Sequence, residues 1–252
     1  MKKSILGSTA LVAVGALASG QAQADGWEAG IGGYMNTYFS VGGIDEGSAA
    51  KSDDYNSTGL FSDGEIHFKG EYKHDNGITF GVNVQLEDFG TANTGDTIDE
   101  KYIEVKGDFG RIVAGSENSA AYIMHYAAPS VGLPINSGWV TVFVPTPTGM
   151  SGIFRSPTGS TYLDFGNDEN VLTYYTPRFA GFQIGVTYAP SVVGNGDGKN
   201  FPVEADINTE YYNGFGVGAN FVEDFNGFGV AISGGYRRAT VSDALDAAGY
   251  DD

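Results

Sequence analysis

Cysteine is absent from the 252 residues. Neither a disulfide framework nor a thiolate metal site therefore contributes to this chain. Histidine is nearly as scarce: His67, His74 and His125 are the only three, too few and too scattered for an ordinary zinc centre. Basic residues are few as well, 13 against 31 acidic, for a net charge of −18. That balance argues against nucleic acid as a partner, because phosphate backbones are bound by excess lysine and arginine. It suits divalent cations, or a passage that favours cationic solutes. Long apolar runs are missing too. The longest, Ala10 to Ala18, is too short to cross a bilayer as a helix. With Lys2 and Lys3 before it and Ala22-Gln23-Ala24 after it, it reads as a secretory signal peptide over residues 1–24. Removing its two lysines leaves 11 basic residues against 31 acidic, a net of −20.

What is abundant is glycine, with 39 residues, and the aromatics, with 15 tyrosines and 16 phenylalanines. Helices tolerate that much glycine poorly, whereas aromatic and β-branched residues favour strands. No shift of composition divides residues 25–252, so one domain is expected.

Two-residue periodicity confirms the strand reading. Along residues 63–73 every second residue is ionisable: Asp63, Glu65, His67, Lys69, Glu71 and Lys73. Ile66, Phe68 and Tyr72 stand between them, so the strand has a charged face and an apolar face. Next, Ile78, Phe80, Val82, Val84 and Leu86 alternate with Thr79, Gly81, Asn83, Gln85 and Glu87. The same design recurs over 182–188, 215–221 and 228–237, and more weakly over 29–40. Short connections resemble one another: Asp75-Asn76-Gly77, Gly107-Asp108-Phe109-Gly110, Arg178-Phe179-Ala180-Gly181 and Asp224-Phe225-Asn226-Gly227. Long ones intervene near 42–58, 88–99, 116–169, 190–206 and from 239 onward. About nine strands in an all-β, up-and-down antiparallel sheet result, with lengths near those of tilted membrane strands. A soluble β-sandwich also alternates apolar and polar residues. Against it stand uninterrupted apolar faces, aromatics at the turn ends (Phe109, Phe179, Phe182, Phe225) and one-sided loop lengths.

Residues Asn170 to Tyr188, which include Tyr174-Tyr175-Thr176-Pro177, resemble the strand–turn–strand after the third loop of Gram-negative general diffusion porins, of the alphaproteobacterial type. Glu104 to Gly115 resembles the hairpin before that loop, and the region through Glu87 resembles the second and third strands. The resemblance implies a 16-stranded transmembrane barrel in the outer membrane, of which about nine strands fall in this chain. The ending at Tyr250-Asp251-Asp252 then reads as a truncation inside an external loop. It also implies a water-filled channel for small hydrophilic solutes and ions, a homotrimer, and contact with outer-membrane lipid and lipopolysaccharide. The charged strand face becomes pore lining: Asp63, Glu65, His67, Lys69, Glu71, Lys73, Asn83, Gln85, Glu87, Glu104 and Lys106.

Segment 116–169 corresponds to the inward-folding constriction loop. It opens on Glu117 to His125, with the pattern of a short helix, and then carries Pro129, Pro134, Pro145, Pro147 and Pro157. Such loops set acids against bases across a pore. Glu117, Asp164, Asp168 and Glu169 are candidate loop acids, with Arg155 beside them. Arg111, Lys69, Lys73, Lys101 and Lys106 are candidate wall bases.

Other chemistry is poorly represented. His67 shares its face with Asp63 and Glu65, while Ser62 points the other way, so a serine–histidine hydrolase lacks its geometry. Gly194-Asn195-Gly196-Asp197-Gly198-Lys199-Asn200 fails the phosphate-loop pattern. Gly30, Gly32 and Gly33 read as strand glycines at a close backbone approach. The expectation is a non-enzymatic channel with no cofactor. Loop-bound calcium at Asp45, Glu46, Asp53 and Asp54 suits the composition but matches no EF-hand spacing. The alternatives are an enzymatic or adhesive barrel, and a soluble exported β-sandwich that binds a ligand.

Overall fold

The computed structural model describes residues 26–41, 58–87, 98–126, 163, 169–192 and 211–249, with only the backbone at 40, 61 and 63. Nine strands form one antiparallel sheet in strict sequence order. They are β1 (Trp27–Val41), β2 (Thr58–Lys73), β3 (Thr79–Glu87), β4 (Lys101–Gly107), β5 (Gly110–Glu117), β6 (Glu169–Tyr175), β7 (Phe182–Ser191), β8 (Tyr212–Phe225) and β9 (Phe228–Thr240). Among the described residues two short helices accompany them, α1 (Ala120–Ile123) and α2 (Asp243–Ala247). The signal segment, the acidic residues at 45–54 and the glycine-rich stretch 194–200 lie outside the described residues.

The four tight turns fall at one end of the sheet. At β8–β9, Asn226 and Gly227 both take positive φ, 55° and 91°, between the paired Phe225 and Phe228. This is the geometry whose twist matches that of the flanking strands, and it explains the Asn-Gly sequence. Asp224 Oδ1 accepts the Gly227 N–H at 2.8 Å. Ala180 and Gly181 repeat the conformation between β6 and β7, with φ of 46° and 82°. At β2–β3, Asn76 Oδ1 accepts the Ile78 N–H at 3.0 Å.

The register carries the alternation across all nine strands. Phe68 pairs with Val84, Ile112 with Tyr174, Val186 with Val217 and Phe221 with Ile232, so apolar residues stack on one face. That face is solvent-accessible: Ile103 is 57%, Leu172 56% and Ile232 62% exposed. The opposite face holds buried polar groups, with Thr173 0%, Thr187 1% and Asn220 7% exposed, beside apolar ones such as Val113 and Ala189. Water-soluble folds bury apolar surface and expose polar surface. Here a whole face of large apolar side chains is exposed.

Three expectations need correction. β5 extends to Glu117 and β6 begins at Glu169, so both carboxylates belong to the wall and not to the loop. The β5–β6 ladder runs from Arg111↔Tyr175 to Glu117↔Glu169, and this backbone pairing claims both residues. β9 runs to Thr240, and α2 follows it, where a loop from 239 was expected. Of the β1 glycines, Gly33 alone makes a close approach. It has a φ of 142° and its missing Cβ would collide with the Glu65 carbonyl, whereas Gly30 and Gly32 face open space.

Candidate functional site

The polar face of β2–β5 carries the charged residues expected from the alternation. Glu65 pairs with Glu87, His67 with Gln85 and Lys69 with Asn83; Glu71 and Lys73 continue the row, and Asp63 occupies the matching backbone position opposite Asn36. Glu104 and Lys106 lie on the same face of β4. Glu65 is held between Tyr34 Oη, which donates at 2.9 Å, and His67 Nε2 at 2.7 Å.

A chain of ion pairs then links β2, β4 and β5, passing over β3. Lys106 Nζ lies 3.1 Å from Glu71 and 2.8 Å from Glu104 Oε1, while Arg111 Nε donates to Glu104 Oε2 at 2.6 Å. Both oxygens of Glu104 therefore hold a cation. The Arg111 guanidinium also lies 5.8 Å from the Tyr102 ring centre and 5.4 Å from that of Tyr175. Cation–π attraction and the carboxylate together fix its orientation. Lys101 is not on this face. It pairs with Val84 and Ser116, and its odd position puts it with Ile103 and Val105 on the apolar side, at the long-loop end of β4.

At that long-loop end the carboxylates gather. Glu117 and Glu169 are direct cross-strand partners, both buried. Asn118 donates its N–H to Glu117 at 2.9 Å and its side-chain amide to Glu100 at 2.7 Å; Gln85 also donates to Glu100. Arg237 Nη2 reaches Glu169 Oε2 at 2.5 Å from β9. Arg237 was not foreseen as a site residue. Its position on the polar face was visible from Tyr236 beside it, but its partner lies across β7 and β8. Arg155, Asp164 and Asp168 lie outside the described residues.

The segment after β5 turns onto the polar face, and its short helix covers Ala120–Ile123 within the expected Glu117 to His125. Ser119 caps α1, its Oγ accepting the Tyr122 N–H at 3.4 Å. The Ala120 N–H donates to Thr187 Oγ1 on β7 at 2.8 Å, and Thr187 itself contacts Thr173 at 2.8 Å. Asn220 on β8 donates to the Met124 carbonyl at 3.1 Å, and the Tyr126 N–H donates to Ser233 on β9 at 2.7 Å. Three successive strands thus hold three backbone groups of one segment, which runs across the strands. Val113, Ala120, Met124 and Tyr175 pack together as a small apolar cluster beneath it.

This surface has fixed charges of both signs and a helix laid across it. No arrangement of nucleophile and base appears at His67, since Ser62 bonds with Thr37 on the other face. Among the described residues no group of three His, Asp or Glu is placed to hold a metal ion. No curated protein matches the chain. Among solved structures, it is similar to the anion-selective porin from Comamonas acidovorans at 16% identity, with a TM-score of 0.40. The match covers 82% of this chain and 61% of that one, so the chain spans less than two thirds of that protein's length. The Gram-negative porin family matches residues 7–251. With that match over nearly its whole length, the chain belongs to the Gram-negative porin family.

Proposed function

We propose that this chain builds the wall of an outer-membrane channel through which small hydrophilic solutes and ions diffuse passively. The exposed apolar face carries the reading: Ile103, Leu172, Phe182 and Ile232 suit hydrocarbon, and the charged and polar residues of the opposite face suit water. Asp63, Glu65, His67, Lys69, Glu71, Lys73, Asn83, Gln85, Glu87, Glu104 and Lys106 line the aqueous side. Arg111, Glu117 and Glu169 are the wall charges assigned to the narrowing at α1; Arg155, Asp164 and Asp168, outside the described residues, are assigned to it from the sequence alone.

The channel is non-enzymatic and works without a cofactor. Mixed charge on its wall orients water and solutes without binding any one of them tightly, as a diffusion pore requires. A homotrimer in contact with lipid and lipopolysaccharide completes the proposal, on the family's precedent. The purified gene product is expected to give discrete conductance steps in a planar bilayer, increasing with salt. Failure to conduct, with the protein folded in vesicles, would overturn the channel reading.

A further inference from the structure

Glycine is so common here that any one residue could be compositional, yet three differ from the rest. Gly185 on β7 pairs with Gly218 on β8, and Gly218 pairs with Gly235 on β9, so the three form one row across the polar face. α1 lies on that row. A Cβ at Gly218 would run into the Ala120 carbonyl oxygen and stand 2.7 Å from the Ala120 carbonyl carbon and 3.1 Å from the Ala121 nitrogen. At Gly185 it would stand 2.8 Å from Ala120 Cβ and 2.7 Å from Met124 Sδ; at Gly235, 3.0 Å from Ala121 Cβ. By contrast, Gly229 and Gly30 on the same face meet nothing within 4 Å. Backbone cannot yield as a flexible side chain can, so the contact at Gly218 excludes every other residue unless the helix moves.

We infer that Gly185, Gly218 and Gly235 form a recess that sets how far α1 projects from the wall, and thereby the bore of the channel. These are positioning residues. The recess lets helix backbone touch sheet backbone, the closest approach that two elements can make. Thr187 holds the first residue of the helix, and Asn220 and Ser233 hold Met124 and Tyr126 just after it, so three hydrogen bonds fix the segment at that depth. Side chains added beneath the helix would lift it into the aqueous space, by more as their volume grows. The size limit for solutes would then be written into the wall as much as into the loop.

The inference rests on the channel reading for its conductance consequence, but the seating itself is testable without conduction. Because the chain has no cysteine, Met124→Cys would be its sole thiol, at a position only 4% exposed. A water-soluble maleimide should label it slowly in the otherwise natural protein in lipid vesicles. Gly218→Val in that background should speed labelling by about tenfold or more, as the local contact opens. Gly229→Ala should leave the rate unchanged. Gly235→Ala should speed labelling slightly, and adding Ala121→Gly should reverse this by removing the nearest atom. In bilayers, single-channel conductance should fall in the order Gly218, Gly218→Ala, Gly218→Val. Equal labelling for Gly218→Val and Gly229→Ala would overturn the recess. Faster labelling with unchanged or larger conductance would overturn its role in setting the bore. A conducting natural protein in either case would leave the channel reading standing.

Discussion

Arg237 reaches Glu169 across two intervening strands, with 5% and 2% of their side chains exposed and 2.5 Å between nitrogen and oxygen. The path is open because Gly216 lies beneath the arginine stem, 3.2 Å from Arg237 Cγ to the position a Cβ would take. Removing one partner of such a pair takes its nearest counter-charge from a buried ion. Arg237→Ala is therefore expected to cost about 3–5 kcal/mol, while Arg237→Met together with Glu169→Leu should recover much of that loss. Urea unfolding in lipid vesicles measures both. A single-variant loss below about 1 kcal/mol would mean that water already screens the pair.

The apolar face makes its own demand. Leu172 is the middle residue of β6 and 56% exposed. Leu172→Arg should destabilise the vesicle-inserted protein by about 2–4 kcal/mol if that residue lies at the midplane of the bilayer. Spin labels give the complementary readout: a label at 172 should be accessible to oxygen, and one at 173 to a water-soluble relaxation agent. The reverse pattern would invert the sheet.

Permeation should report the Glu104 knot. With Glu104 neutralising part of both Lys106 and Arg111, and with Glu71, Glu100, Glu117 and Glu169 on the same face, a weak preference for cations is expected. The preference should weaken as salt rises and the screening length falls below about 8–10 Å. Glu104→Gln removes one negative charge, leaves Arg111 without this carboxylate and leaves Lys106 with Glu71 alone, and should move the reversal potential under a salt gradient toward anions. An unchanged potential would place Glu104 away from the ion path.

Turn chemistry supplies the simplest test. At β8–β9, Gly227→Ala puts a Cβ at a φ of 91° and should cost about 1–2 kcal/mol, whereas Asn226→Gly should be nearly neutral. Equal effects would mean that the turn changes type.

Local pattern made the strands readable. Between Thr79 and Glu87 every residue announces its face, and Asn76-Gly77 and Asn226-Gly227 announce the turns, because these properties depend on two to four neighbouring residues. Parity also assigns faces, and it assigns Lys101 to the apolar side of β4, although its charge alone suggests the polar one. What stayed hidden depends on distant chain. Glu117 and Glu169 read as loop acids because nothing near either residue reveals that they pair across 52 positions. The partner of Arg237 and the glycine row were invisible for the same reason: each becomes a site only when three or four strands are aligned.

Every strand in this sheet bonds only to its neighbours in sequence. Among the described residues no strand is inserted between two others, and each pairing joins strands consecutive in the chain. Joining ends through a short turn costs little chain entropy, and the cost grows only logarithmically for the longer connections. Four hairpins, β2–β3, β4–β5, β6–β7 and β8–β9, can therefore close on a microsecond scale and then be joined edge to edge. Assembly becomes a problem of ordering prefabricated pairs, and α1 is the piece that must arrive last, since its seat exists only after β7, β8 and β9 have met.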